Sequence, residues 1–161
     1  MDTSGKQYLV GNITGDSRDS NSNRQVRAKD ATHVTVATRD QEDNDSDKFL
    51  LTTDPAYDPK NPGAVPNFIK FLSNKYKDTP AYLGENSGVA NLKTSVTTFA
   101  LEVIDSEPNT YYLSLKGHSD KYLTMDDPTD GKNLTFEAKG TTPDKKKKQK
   151  WIFVKADPIQ W

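Results

Sequence analysis

Apolar side chains occur along this chain in short strings that alternate with polar positions, and clusters of Gly, Pro, Asn and Asp separate the strings. Such alternation is typical of β-strands with one buried face. One segment, Phe68-Ile69-Lys70-Phe71-Leu72, has apolar residues at a spacing that would also suit a helix. It is short and rich in β-branched and aromatic residues, which favours a strand. The pattern therefore predicts an all-β protein.

The predicted strands fall into three sets of four. In chain order they are Gln7–Val10, Arg24–Ala28, Val34–Ala37, Phe49–Thr52, Phe68–Leu72, Ala81–Gly84, Ala90–Thr94, Phe99–Glu102, Tyr111–Leu115, Lys121–Met125, Leu134–Ala138 and Trp151–Val154. The fourth strand of each set has an aromatic residue at Phe49, Phe99 or Trp151, followed two positions later by another large apolar side chain. These aromatic residues are 50 and then 52 residues apart. Near-equal spacing of the most hydrophobic element indicates an internal repeat.

Twelve strands in three four-stranded units predict a β-trefoil, a six-stranded barrel capped by three hairpins. One unit cannot bury its apolar face alone, so we expect a single domain over residues 1–161, with repeats at about 6–54, 67–105 and 109–157. The predicted core residues are the inward-facing apolar positions of these strands. They are Leu9, Val34, Val36, Phe49, Leu51, Leu83, Leu92, Phe99, Leu101, Leu113, Leu123, Leu134, Phe136, Trp151 and Phe153.

Three segments near the carboxyl end, 121–127, 134–136 and 149–153, together resemble the last repeat of a ricin-B-like β-trefoil lectin. Gln149-Lys150-Trp151 matches that family's Gln-any-Trp signature, whereas the equivalent triplets, Asp47-Lys48-Phe49 and Thr97-Thr98-Phe99, do not. More distantly, the chain resembles the cysteine-free β-trefoil protease inhibitors of mushrooms. The resemblance implies non-catalytic binding: a lectin-like carbohydrate-binding protein first, and a protease inhibitor as the alternative. A third possibility is a structural role, in which the loops dock a larger protein partner.

The lectin resemblance implies a carbohydrate site in the third repeat. An acidic residue follows the second strand of such repeats, and Asp126 or Asp127 matches it here. Adjacent residues on a strand point to opposite faces, so only one of the two is expected to enter a pocket. Phe136 alternates with Leu134 toward the core, which leaves the expected aromatic contact unfilled. The predicted sugar-binding residues are Asp126, Asp127, Lys132, Asn133 and Gln149, and Glu85-Asn86 is a weaker copy in the second repeat.

The alternative function rests on the connection between the first two repeats, residues 53–66, which contains four prolines. Proline fixes φ, so this loop should be extended and stiff. A stiff loop loses little entropy when a partner grips it, as a substrate-like inhibitory loop requires. Tyr57 or Lys60 would then be the residue that a protease recognises. The other interpretation is a rigid inter-repeat connection that only adds stability.

Composition argues against enzymatic chemistry and against a metal site. The 161 residues include no cysteine and two histidines, His33 and His118, without a zinc-binding spacing. No nucleophile elbow or phosphate-binding glycine loop is present, so we expect neither catalysis nor a cofactor. Asp43, Asp45 and Asp47 alternate in an acidic loop, but the glycine and glutamate of a calcium-binding EF-hand loop are missing.

Charge and hydropathy narrow the expected partners. The four lysines Lys145–Lys148 form a basic run, yet the net charge is -1, so the extended positive field of a nucleic-acid-binding protein is missing. We expect this run to form a solvated hairpin tip that discourages edge pairing. No apolar run is long enough for membrane insertion, and the first residues lack the pattern of a signal peptide. The sequence therefore predicts a cytoplasmic protein whose partners are glycans or glycoproteins, or a protease in the alternative.

Overall fold

The computed structural model describes residues 7–12, 24–38, 45–53, 65–104, 106–107 and 109–155. Within these ranges all twelve predicted strands are present, most with bounds shifted by one to three residues. The strands are β1 (Gln7–Asn12), β2 (Arg24–Ala28), β3 (Val34–Thr38), β4 (Lys48–Thr53), β5 (Phe68–Ser73), β6 (Tyr82–Asn86), β7 (Val89–Lys93), β8 (Phe99–Val103), β9 (Tyr111–Leu115), β10 (His118–Thr124), β11 (Thr135–Glu137) and β12 (Trp151–Lys155). The prediction of an all-β protein is confirmed.

Strand pairing repeats with the same threefold order as the sequence. The first and fourth strands of the sets pair antiparallel in a closed cycle, β1–β4–β5–β8–β9–β12–β1. The second and third strands pair as three hairpins, β2–β3, β6–β7 and β10–β11. Each hairpin joins the cycle through the first strand of its own set. Equivalent strands of the three sets therefore make equivalent main-chain contacts.

The core sits where the three fourth strands meet. Phe71 of β5 packs against one aromatic ring from each of them, at centroid distances of 6.5 Å to Phe49, 5.3 Å to Phe99 and 5.7 Å to Phe153. Most predicted core residues are buried in this main cluster, and Phe153 and Leu101 pack partly buried against it. Leu9 belongs instead to a small second cluster with Val154. The core prediction is therefore largely confirmed, while Phe71, at its centre, was not among the predicted residues.

The basic run forms a short helix, α1 (Pro143–Lys147), so the predicted hairpin tip was wrong. Thr142 caps the helix by accepting a hydrogen bond from Lys145 N at 3.2 Å, and a proline occupies the first turn. Proline is tolerated there because that N–H has no partner within a helix. The acidic loop ends in a 3₁₀ turn, Asp45–Asp47, and its remaining predicted residue, Asp43, lies outside the described residues.

In the part of the chain that the structure describes, no helix has both the length and the apolar character that a membrane span requires.

Candidate functional site

Asp126 and Asp127 lie in the bend after β10, which ends at Thr124, and not on a strand as the sequence argument assumed. The inference that they face opposite sides of a sheet is therefore wrong. Asp126 Oδ1 lies 3.3 Å from Lys145 Nζ and 3.6 Å from Lys148 Nζ. Asp127 accepts a hydrogen bond from Thr129 N at 2.9 Å, and bonds from the side chain and backbone of that threonine lower the pKa of Asp127. Both carboxylates are exposed.

The turn that follows is fixed against β3. Gly131 N donates to Val36 O, and Val36 N donates to Lys132 O, both at 2.8 Å. Gly131 adopts a φ of 86°, a left-handed conformation that a residue with a side chain reaches only at a cost. This docking places Asn133 opposite Thr35 in an isolated β-bridge. The backbone of the predicted third-repeat site is thereby anchored to the first repeat.

Gln149 is the predicted sugar-binding residue that the structure excludes from the surface. Its side chain is fully buried. Gln149 Nε2 donates to Thr124 Oγ1 at 3.0 Å and to Ala138 O at 2.9 Å, while Oε1 accepts from Gly140 N at 2.8 Å. Both donor hydrogens and the acceptor oxygen are thus engaged inside the protein. Gln149 has a structural role, and its assignment as a sugar ligand was wrong.

Asn133 instead lines an open groove of about 250 Å³ between the three hairpins. Every repeat contributes to its lining, which consists of Thr32, His33 and Val34 from the first, Asn86, Val89, Ala90 and Asn91 from the second, and Asn133 from the third. The hairpins are joined by the bridge between His33 and Asn91 and by the pairing of Thr135 with Val89. We call this concavity the hairpin groove.

In the hairpin groove, contacts fix the orientation of His33, but one polar atom lacks a hydrogen-bond partner in the described chain. Asn91 Oδ1 is buried and has no hydrogen-bond partner among the described residues. His33 Nδ1 lies 2.8 Å from Asp30 Oδ1, which fixes one side of an imidazole that is 66% exposed. A backbone hydrogen bond from Thr32, reinforced by the side chain of His33, holds the pKa of Asp30 far below its usual range. The same contacts connect Asp30 to His33, which lines the groove.

The apolar residues that line the groove have small aliphatic side chains. Val34 and Ala90 are buried, and Val89 is half-buried. Hydroxyl, amide and imidazole groups above an aliphatic floor can exchange hydrogen bonds with a polyol while its C–H groups pack below. No cluster of three or more potential metal ligands occurs in the described ranges. The groove is thus equipped for binding neutral polar molecules.

The structure separates the predicted residues. Asn133 lines the groove with Asn86, the residue noted as a weak second copy. Lys132 lies beside Asn133 on the docked turn, whereas Asp126 pairs with Lys145 of α1 and with Lys148 at the end of that helix. His33, Asn91 and Thr32 were not predicted as binding residues. Thr32 and His33 precede β3, and Asn91 lies in the middle of β7, so polarity next to or within a strand is their only sequence signal. Tyr57 and Lys60, the predicted inhibitory residues, lie outside the described residues.

No protein-family model matches this chain, and no curated protein matches it significantly in sequence. Solved structures match it by fold. A ricin B-like lectin from Macrolepiota procera, solved with lactose, aligns with a TM-score of 0.66 and 10% identity over 95% of this chain and 97% of its own. The chain has the fold of the ricin B-like lectins.

Two further structures extend the comparison. SeviL, solved bound to the asialo-GM1 saccharide, aligns with a TM-score of 0.60 and 18% identity over 94% of this chain and 98% of its own. A mosquitocidal holotoxin aligns with a TM-score of 0.68 and 15% identity over 94% of this chain. The chain spans 17% of the length of that toxin. At these identities the likeness concerns the fold alone.

Proposed function

We propose that this chain is a β-trefoil that binds carbohydrate, without catalysis, in the hairpin groove. The trefoil assignment is supported by the closed cycle of six strands and the three hairpins attached to it at equivalent places. That topology leaves the strands committed to the core and the hairpin ends available for binding. It also brings short segments of all three repeats to one place, which a single repeat could not do.

One observation carries the proposal: Asn91 Oδ1 is buried at the groove without a partner in the described chain. A buried amide oxygen without a hydrogen bond costs about 1–3 kcal/mol, so a donor from a ligand is favoured there. A sugar hydroxyl is such a donor, and the same hydroxyl can accept a bond from a neighbouring amide. Asn86 and Asn133 supply amides in the same groove. Structural neighbours solved with lactose and asialo-GM1 saccharide support this ligand class.

A glycan array tests the proposal. Wild type should retain a defined set of neutral oligosaccharides, and Asn91→Ala combined with Asn133→Ala should weaken that retention at least tenfold. Loss of two neutral hydrogen bonds of about 1 kcal/mol each accounts for this magnitude, because 1.4 kcal/mol corresponds to a factor of ten.

The matched control is Asn67→Ala, which removes an exposed amide outside the groove. It should bind as wild type does. Equal binding by wild type and the double variant would place the ligand elsewhere, and absence of binding to any glycan would contradict the function itself.

A further inference from the structure

A second concavity, of about 170 Å³, lies on a different face of the chain from the hairpin groove and shares no residue with it. Its polar and aromatic lining comprises Thr52, Thr53, Phe68, Lys70, Thr98 and Lys116. These residues come from four strands of the closed cycle or directly adjoin them. We call it the lysine pocket.

Strand register explains why these side chains converge. Thr52 of β4 lies opposite Lys70 of β5, and opposite residues of an antiparallel pair share a face. Phe68 lies two residues before Lys70, so it faces the same way, while Ile69 between them is buried. Lys116 follows β9, and its backbone N–H donates to Thr98 O at 3.0 Å. The outward side chains thus form a row across β4, β5, β8 and β9.

The charged residues of this row are two lysines, Lys70 and Lys116. Lys116 Nζ lies 4.4 Å above the ring of Phe68, and Lys70 stands on the same face of β5. Among the described residues, no carboxylate lines the pocket and neither lysine forms an ion pair. Other described lysines with similar exposure do have such partners: Lys139 lies 2.5 Å from Glu102, and Lys150 lies 2.6 Å from Glu107. Within the described ranges both lysines of the pocket therefore lack an acidic partner, and Lys116 lies over the Phe68 ring.

We propose that the lysine pocket binds the acidic group of a saccharide, either a carboxylate or a sulfate ester. The two ammonium groups can form charge-assisted hydrogen bonds to one anion, and these are stronger than bonds between neutral groups. Thr52 and Thr98 supply hydroxyl groups for the adjoining sugar, and Phe68 supplies an apolar surface. The choice of a saccharide as carrier of the anion rests on the proposed function, but the pocket itself is independent of the hairpin groove.

Calorimetric titration with three probes tests this inference: sialyllactose, a sulfated lactose and unmodified lactose. Wild type should bind at least one acidic probe, with an affinity that falls as salt rises, because screening weakens ion pairs near a surface. Lys70→Gln combined with Lys116→Gln should weaken acidic-probe binding at least tenfold and leave any lactose binding unchanged. The matched control is Lys77→Gln with Lys155→Gln, which removes the same charge at two exposed positions outside the pocket.

The outcomes separate the two proposals. Acidic-probe binding that is lost only in the pocket variant supports the lysine pocket, even if the neutral glycans fail at the hairpin groove. Equal losses in the pocket and control variants would show a non-specific charge effect and overturn it. Failure of both acidic probes to bind wild type would overturn it, as would inorganic sulfate binding as tightly as the sulfated sugar, since the saccharide would then contribute nothing.

Discussion

Replacing Gln149 with methionine should destabilise the protein without touching either proposed binding surface. Methionine has nearly the volume of glutamine, so the change removes hydrogen bonds while leaving no large cavity. Three bonds are lost: two from Nε2, to Thr124 and Ala138, and one accepted from Gly140. The N–H of the buried residue Gly140 is then left without this partner, and the Ala138 carbonyl loses its bond to Gln149.

The magnitude follows from that count. A net contribution of about 1 kcal/mol per hydrogen bond gives a loss of about 3 kcal/mol in the free energy of unfolding. For a chain of 161 residues this corresponds to a decrease of about 6–12 °C in Tm, at about 2–4 °C per kcal/mol. The loss should reach the upper part of this range if the unpaired Gly140 N–H finds no water.

Urea unfolding followed by tryptophan fluorescence measures this loss directly, because Trp151 is fully buried in the core. Thr141→Met is the control, since it introduces the same side chain at an exposed neighbouring position and should change stability by less than about 0.5 kcal/mol. If Gln149→Met and Thr141→Met had the same unfolding midpoint, the structural role of Gln149 would be refuted. Loss of glycan binding at full stability would restore Gln149 as a ligand.

Four further predictions concern other parts of the structure. Trp151→Ala should cost about 3–5 kcal/mol in urea unfolding, because it leaves a cavity and removes the bond from Nε1 to Leu123 O. Gly131→Ala should cost about 1–3 kcal/mol in the same assay, because φ is 86° and the space around it is open, so strain alone acts. The pKa of Glu85 lies below 4.5, mainly because Gly88 N donates a hydrogen bond to its carboxylate. The ionised Glu85 therefore stabilises the folded protein fully above about pH 4.5, and this contribution is lost as the pH falls through the folded-state pKa. The difference in Tm between wild type and Glu85→Gln should therefore close on acidification. Asp126→Asn and Asp127→Asn should each leave glycan retention on the array within twofold of wild type, since both carboxylates lie outside the groove lining.

Local pattern was sufficient to locate the strands. The strands Arg24–Ala28 and Tyr111–Leu115 match the predicted bounds. Val26 and Ala28 alternate with polar residues in the first, and the second is largely apolar and buried throughout, so an apolar residue marks the end of each. β10 begins at His118, three residues before the predicted start. The early start was not predicted because the first residues of the strand are exposed and carry no hydrophobic signal. A register shift between His118 and Tyr122 marks the same irregularity. Exposed hairpin extensions depend on main-chain pairing, which the side-chain pattern does not encode.

The helix α1 shows a signal that was present but not used. Thr142 followed by Pro143 is a cap and first-turn combination that favours a helix start, and Asp144 adds negative charge in the first turn. The run of lysines is also typical of a solvated hairpin tip, which is what the charge pattern alone predicts. Lys145 lies 2.5 Å from Glu137 and 3.3 Å from Asp126, so the run is anchored by acids that are distant in sequence.

The hairpin groove was beyond reach of the sequence for a different reason. Its residues come from three repeats, and their proximity depends on long-range contacts such as the hydrogen bond from Leu92 N to Thr32 O at 3.0 Å. Asn133 and the weaker candidate Asn86 were identified, because the family resemblance pointed to their loops. Asn91 gave no signal, since an asparagine on a strand is recognised as unsatisfied only when its surroundings are known.

The central claim is that one groove, built by all three repeats, holds a sugar. Side-chain amide resonances in a two-dimensional NMR titration with the best glycan from the array test it most directly. We predict that the amides of Asn91 and Asn133 and the backbone of His33 shift together and saturate with one dissociation constant. If these signals stay fixed while resonances of the Asp126–Asp127 bend move instead, the sugar binds at the turn and the groove assignment is contradicted.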